Sequence, residues 1–156
     1  MLCAYSNAAE QTINPGESAL FQVVEVPCNS GLVRHRLGTG GFLLSGGQPN
    51  RSRCCYCRNM NQTRDYLVDV KADIGIPTGG TVGEITIALQ LDNATVPATT
   101  MTVNPAAVAT FTNVSGAMTV DVYRGCCESV SVRNTSDQPI TMRNAYIVID
   151  LPENRR

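Results

Sequence analysis

From Tyr66 onward the chain alternates. Tyr66-Leu67-Val68-Asp69-Val70-Lys71-Ala72-Asp73-Ile74 sets Val68, Val70, Ala72 and Ile74 on one face, with Asp69, Lys71 and Asp73 opposite them. A period of two over this length is the signature of a half-buried strand. Glu84 to Leu91 repeats it with Ile85, Ile87, Leu89 and Leu91 on one side, and Asp92-Asn93 then breaks it as a hairpin turn does. Further strands are predicted at Thr100–Val103, at Ala117–Tyr123 with Met118, Val120 and Val122 inward, and at Ser129–Asn134. A long closing strand spans Ile140–Leu151. The stretch Ala106–Val114 fits one helical turn or a strand equally well.

The first 63 residues are less regular. A short polar segment over about residues 1–15 ends in the turn Asn14-Pro15-Gly16-Glu17. Ala19–Val26 is rich in β-branched residues, ends at Pro27 and is predicted as a strand. Leu32–Leu37 and Gly40–Leu44 follow as candidates. Residues 46–64, with RSRCCYCRNMNQT at their centre, show no period and are expected to form a Cys/Arg-rich surface loop. About eight to ten short antiparallel strands with turn signals between them predict an all-β sandwich or barrel in one domain spanning 1–156. No amphipathic helix appears, which removes the parallel α/β architectures and their nucleotide-binding chemistry.

Composition agrees. Charged residues are only 16% of the chain, below the roughly 25% of an ordinary domain, and Thr, Asn, Ser and Gly fill the gap. A chain of 156 residues can bury roughly 70% of its unfolded surface, so neither metal nor disulfide is needed for folding. The net charge of −1 supplies no global field for nucleic acid or an anionic membrane. No run approaches the roughly 18 to 20 apolar residues of a membrane span. The start, Met1-Leu2-Cys3-Ala4-Tyr5-Ser6, lacks a basic and then apolar leader, so synthesis in a bacterial host cytoplasm without signal-directed export is expected. Lys71 is the only lysine beside eleven arginines. That bias suits protein–protein contact, where Arg is enriched and Lys depleted, although codon usage produces it too.

Beyond residue 65 the order of features resembles the tumour-necrosis-factor and complement-globular-head jelly-roll superfamily, and within it the small bacterial and phage members. The residues that carry the resemblance are the Tyr66–Val70 strand, Ile76-Pro77-Thr78-Gly79-Gly80-Thr81-Val82-Gly83 and Ala88-Leu89-Gln90-Leu91-Asp92. Val103–Val108, Asn113-Val114-Ser115, Val120-Asp121-Val122, Gly125-Cys126-Cys127 and Val132–Ser136 complete it. The likeness covers a little more than half the chain. It implies a TNF-like jelly-roll β-sandwich, a homotrimer with an aromatic and aliphatic threefold interface, and a place on a spore surface or among phage structural proteins. The Cys54/Cys55/Cys57 loop and the absence of a Gly-x-y stalk depart from that pattern.

Candidate chemistry centres on seven cysteines: Cys3, Cys28, Cys54, Cys55, Cys57, Cys126 and Cys127. Disulfides or intersubunit cross-links, spectator thiols packed as small hydrophobes, and a zinc site all remain open. Adjacent cysteines make poor zinc chelators compared with Cys-x2-Cys pairs, so no metal is assigned. His35 is the sole imidazole. Its place between Arg34 and Arg36 is expected to lower its pKa and to turn its ring toward an inner face, which argues against a catalytic Cys–His pair. Asp69 and Asp73 share a face with Lys71 and read as a solvated surface before a glycosidase pair or calcium site. Five Asn-x-Ser/Thr sites come with the Asn/Thr-rich composition and are assigned no glycans. Arg51, Arg53, Arg58 and Arg64 with Tyr56 are candidates for an interface with a neighbouring subunit or an acidic shell, and one aromatic is no base-stacking platform.

These readings point to a non-enzymatic structural protein with no catalytic residues and no cofactor. The first expectation is a phage virion subunit of the capsid-decoration or head-fibre kind, lying on the virion surface and binding a larger protein shell as a trimer. A disulfide-cross-linked spore-surface or appendage subunit is the alternative. A carbohydrate-binding module ranks third, because the chain has no Trp and 5% aromatics while sugar sites stack on aromatic faces.

Overall fold

The computed structural model describes residues 1–28, 31–36, 38–47 and 59–152, with backbone alone at 59–62. Among these residues the chain forms strands β1 (Leu2–Asn7), β2 (Gln11–Ile13), β3 (Val23–Val26), β4 (Val33–Arg36), β5 (Gly41–Ser45) and β6 (Asn59–Gly75). They continue as β7 (Ile85–Leu91), β8 (Ala94–Thr95), β9 (Met101–Val103), β10 (Thr112–Arg124), β11 (Cys127–Asn134) and β12 (Ile140–Asp150), with one 3-10 turn at Pro97–Thr99. The first sheet has the order β10-β6-β12-β1-β3, with β2 also on β12. The second has the order β4-β5-β11-β7-β8, with β9 also on β7. Every pairing is antiparallel. The all-β sandwich expected from the alternation is what the chain forms.

The alternation sets the two inner faces. Val68, Val70, Ala72 and Ile74 of β6 face Ile85, Ile87 and Leu89 of β7 and Val130 and Val132 of β11 within one buried cluster. Each such side chain contributes about 1.5–3 kcal/mol by leaving water. Phe21, Phe42 and Tyr66 are its largest aromatic members. The turn after β7 behaves as its sequence predicts. Asp92 and Asn93 both take positive φ, 49° and 65°, the pair of left-handed residues that matches the twist of a two-residue hairpin.

The structure departs from the sequence reading in three places and resolves a fourth that the sequence leaves open. Residues 1–15, expected as a short polar segment, hold two strands and part of the core. β1 lies between β12 and β3 with Cys3, Ala4 and Tyr5 buried, and its long partner β12 is some 140 residues away in sequence, beyond any local pattern. Ala19–Val26 is a strand only from Val23. Ala19 and Phe21 enter the core from an irregular segment whose peptide groups are served from elsewhere: Ala19 N donates to Val132 O at 2.8 Å, and the Gln11 and Asn7 amides bond the backbone of Leu20. The loop expected over 46–64 gives way to strand at Asn59. The ambiguous stretch after Asn104 contains no helix, and strand β10 begins at Thr112.

Candidate interaction surfaces

Strand geometry alone decides which side chains of the first sheet face outward. Leu2 of β1, Leu67 of β6, Ala117 and Tyr123 of β10, and Tyr146 and Val148 of β12 stand on its outer face, opposite the inward set. Leu2 is 48% exposed and Leu67 40%. Between them stand Asp65, Asp69, Asp73, Asp121 and Asp150, with Lys71 and Arg143 as the cations. Lys71 reaches over the Tyr146 ring at 5.8 Å. Asp69 and Asp73 do share a face with Lys71, but Asp73 is already engaged. Its Oδ2 accepts from Asn144 Nδ2 at 3.0 Å and its Oδ1 from Asn113 Nδ2 at 2.9 Å. These two amides, with Arg143 and Lys71, outweigh slight burial and hold its pKa below the usual carboxylate value. Asn144 can reach it because φ of +52° sits at the register shift of β12.

Two cysteines meet directly. Cys3 of β1 and Cys28, just past β3, form a disulfide that closes the sheet edge, and the Tyr5 hydroxyl lies 3.3 Å from Cys28 Sγ. Cys126 and Cys127 are also disulfide-bonded, so neither is a free thiolate for zinc. Cys54, Cys55 and Cys57 lie outside the described residues, as do Arg51, Arg53, Tyr56 and Arg58. Arg64, the described member of the candidate interface, is engaged within the chain through its Nε. Its Nε donates to Gly46 O at 3.1 Å, and it packs so closely on Gly47 that a Cβ there would come within 2.7 Å of Nε. It clamps the end of β5 to β6. Neighbouring Gly46 has no room either, since a Cβ would meet the Tyr123 carbonyl oxygen at 1.8 Å.

His35 does turn inward. Its ring stacks on Phe42 at 4.5 Å and meets Tyr5 at 4.6 Å, and its buried Nε2 has no hydrogen-bond partner. Its pKa is lowered, but by burial; Arg34 and Arg36 point to the opposite side of β4 and are not the cause. A half-buried imidazole whose inner nitrogen has no partner favours its neutral form.

One pair escaped the sequence reading. Asp92 of the β7–β8 turn and Glu128 at the start of β11 hydrogen-bond through their carboxyl groups. The bond to Asp92, then burial and the Asp92 charge, push Glu128 up to about 7. Burial pushes Asp92 up as well, yet the bonds from Glu128 and from Ser129 N at 2.8 Å prevail and hold it low. The two carboxyls titrate as a pair, with Glu128 the member held toward its protonated form. They are 36 residues apart, and only the β7–β11 pairing brings them together.

No protein-family model matches the chain, and neither does any curated protein sequence. Solved structures do match. The globular domain of zebrafish complement 1qA protein superposes with a TM-score of 0.63 at 10% identity, covering 97% of this chain and 97% of that one. The Eiger TNF of S. frugiperda superposes with a TM-score of 0.65 at 11% identity, covering 100% of this chain and 94% of that one. At such identities the likeness is one of fold. The two sheets form the jelly roll shared by TNF and C1q globular domains.

Proposed function

We propose that the chain is a non-enzymatic structural domain that assembles as a homotrimer through the outer face of the β10-β6-β12-β1 sheet and decorates a larger protein shell. The observation that carries this reading is the set of outward apolar side chains on one sheet face, with Leu2, Leu67, Ala117 and Tyr123 exposed and Tyr146 and Val148 half-buried between them. Apolar groups gathered in this way on a wet sheet mark an association surface. The shared fold with TNF and C1q globular domains supports it, and the resemblance to small bacterial and phage jelly rolls supports a capsid-decoration or head-fibre subunit on the virion surface. Trimerisation would multiply many weak shell contacts, so avidity holds the protein in place. A cross-linked spore-surface or appendage subunit is the second reading, supported only in that disulfides at Cys3–Cys28 and at Cys126 and Cys127 suit a domain that meets an oxidising environment.

Light scattering with and without reductant separates these readings. A mass of three chains that survives reduction is expected, and Leu67→Glu combined with Val148→Glu should reduce it to one chain. Larger species that collapse on reduction would favour the cross-linked subunit. A plain monomer in the unaltered protein would overturn both.

A further inference from the structure

The outer face of the second sheet carries the opposite charge. β4 turns Arg34 and Arg36 outward and β11 turns Ser129, Ser131 and Arg133 outward. Between and beside them the outward positions of β5 and β7 are Gly41, Leu43, Ser45, Thr86, Ala88 and Gln90, of which Ala88 and Gln90 are covered, so the open part of the face lies over β4, β5 and β11. No carboxylate stands among these strand positions, whereas five aspartates stand on the first sheet; at their edge, Asp92 of the β7–β8 turn is already occupied by Ser129 N and Oγ. Among the described residues the guanidinium groups of Arg34 and Arg36 make no hydrogen bond or ion pair, and the buried Nε of Arg133 is unpartnered. Arginines left unpaired in this way keep their full capacity for a bidentate acid.

The same face holds a groove of about 290 Å3, bounded by Arg36, Thr39, Ser18, Asn93, Ser129 and Ser131 and by the apolar Leu43. Its hydroxyls are weakly committed: Ser129 Oγ reaches Asp92 at 3.3 Å and Ser131 Oγ reaches Gln90 at 3.5 Å. Asn93 is fixed by its left-handed turn conformation. Two residues along β4 span roughly 6.6 Å, so Arg34 and Arg36 match carboxylates at alternate positions of an extended chain.

We propose that this face docks an acidic polypeptide segment of a partner protein, bound extended beside β4 with alternating carboxylates on Arg34 and Arg36 and one side chain in the groove. Charge complementarity names the partner's chemistry, and other polyanions fit less well. Among the described residues the face has three cations and no lysine and presents no aromatic for base stacking, and the chain has a net charge of −1. Leu43 alone is too little apolar surface to enter a lipid boundary. The inference concerns a second face and stands whether or not the first mediates a trimer.

The test titrates the intact protein at low salt with a capped peptide alternating glutamate and serine, read by calorimetry. Saturable binding is expected. Arg34→Gln with Arg36→Gln should weaken it about tenfold or more, the scale of losing one or two charge-assisted hydrogen bonds. Thr39→Glu, which sets a carboxylate at the groove edge, should weaken it as well and serves if the double variant fails to fold. Absence of saturable binding, or unchanged affinity in a folded variant, would overturn the proposal. So would equal or tighter binding of oligothymidylate or of phosphatidylserine vesicles. Light scattering reads trimerisation separately, so failure of one proposal is distinguishable from failure of the other.

Discussion

His35 and Glu128 respond to acid in opposite directions. The unfolded imidazole titrates near 6.5, and burial lowers it in the folded chain. The stability it contributes is present above 6.5 and is lost as pH falls through the folded value. Glu128 is raised to about 7 from 4.5, so its contribution is present below 4.5 and is lost as pH rises through 7. Both side chains are only half-buried, and the solvent that reaches them keeps each effect small. Urea unfolding at pH 5 and pH 8 should therefore show a shallow dependence in the unaltered protein. Glu128→Gln should tilt it toward stability at pH 8 and His35→Phe toward stability at pH 5. A tilt of the opposite sign in either variant would refute the assigned environment. His35 facing inward was legible from its strand position. The Asp92–Glu128 pair was not, because sequence separation hides a contact made across two strands.

At the scale of elements, β1 shows where local pattern stops. Its six residues read as polar because Ser6 and Asn7 sit beside Cys3, Ala4 and Tyr5, and burial comes from pairing with β12 and β3 rather than from its own composition. The Cys3–Cys28 disulfide pins that arrangement across a separation of 25 residues. A closed loop of this length restricts the unfolded chain by about 3 kcal/mol. Cys3→Ala with Cys28→Ser should therefore lower the thermal midpoint by several degrees in oxidising buffer, where the bonds of Cys126 and Cys127 persist. An unchanged midpoint would show that the bridge adds nothing to β1 docking. β3, which it anchors, is an edge strand with Val23, Val24 and Val26 all exposed, and Glu25 is turned onto Ser6 at 2.6 Å. The carboxylate is thus held against the sheet rather than standing guard on its edge.

The whole molecule is electrically two-sided although its net charge is −1. One outer face combines apolar residues with five aspartates against two cations, and the other presents three arginines. This polarity makes the two proposed associations differ in their response to salt. A trimer that gathers three acidic faces is opposed by like charge, which added salt screens over about 8 Å at physiological strength. Its trimer fraction should rise with ionic strength. Binding of an acidic segment to the arginine face should fall over the same range. Sedimentation velocity and calorimetry across a salt series check both, and a trimer that dissociates as salt increases would contradict the face assigned to it.

Readable in the chain alone were the class of fold, the inward positions of β6 and β7, the hairpin turn at Asp92-Asn93 and the inward set of His35, because each follows from period two or from backbone preferences within a few residues. Only the tertiary structure decided that residues 2–7 form a strand inside a sheet, that Arg64 clamps β5 to β6, that Asp92 meets Glu128, and that acidic and basic side chains separate onto opposite faces. Those outcomes depend on which distant strands pair and in what register, and a linear pattern carries a strand's two faces but not its neighbours.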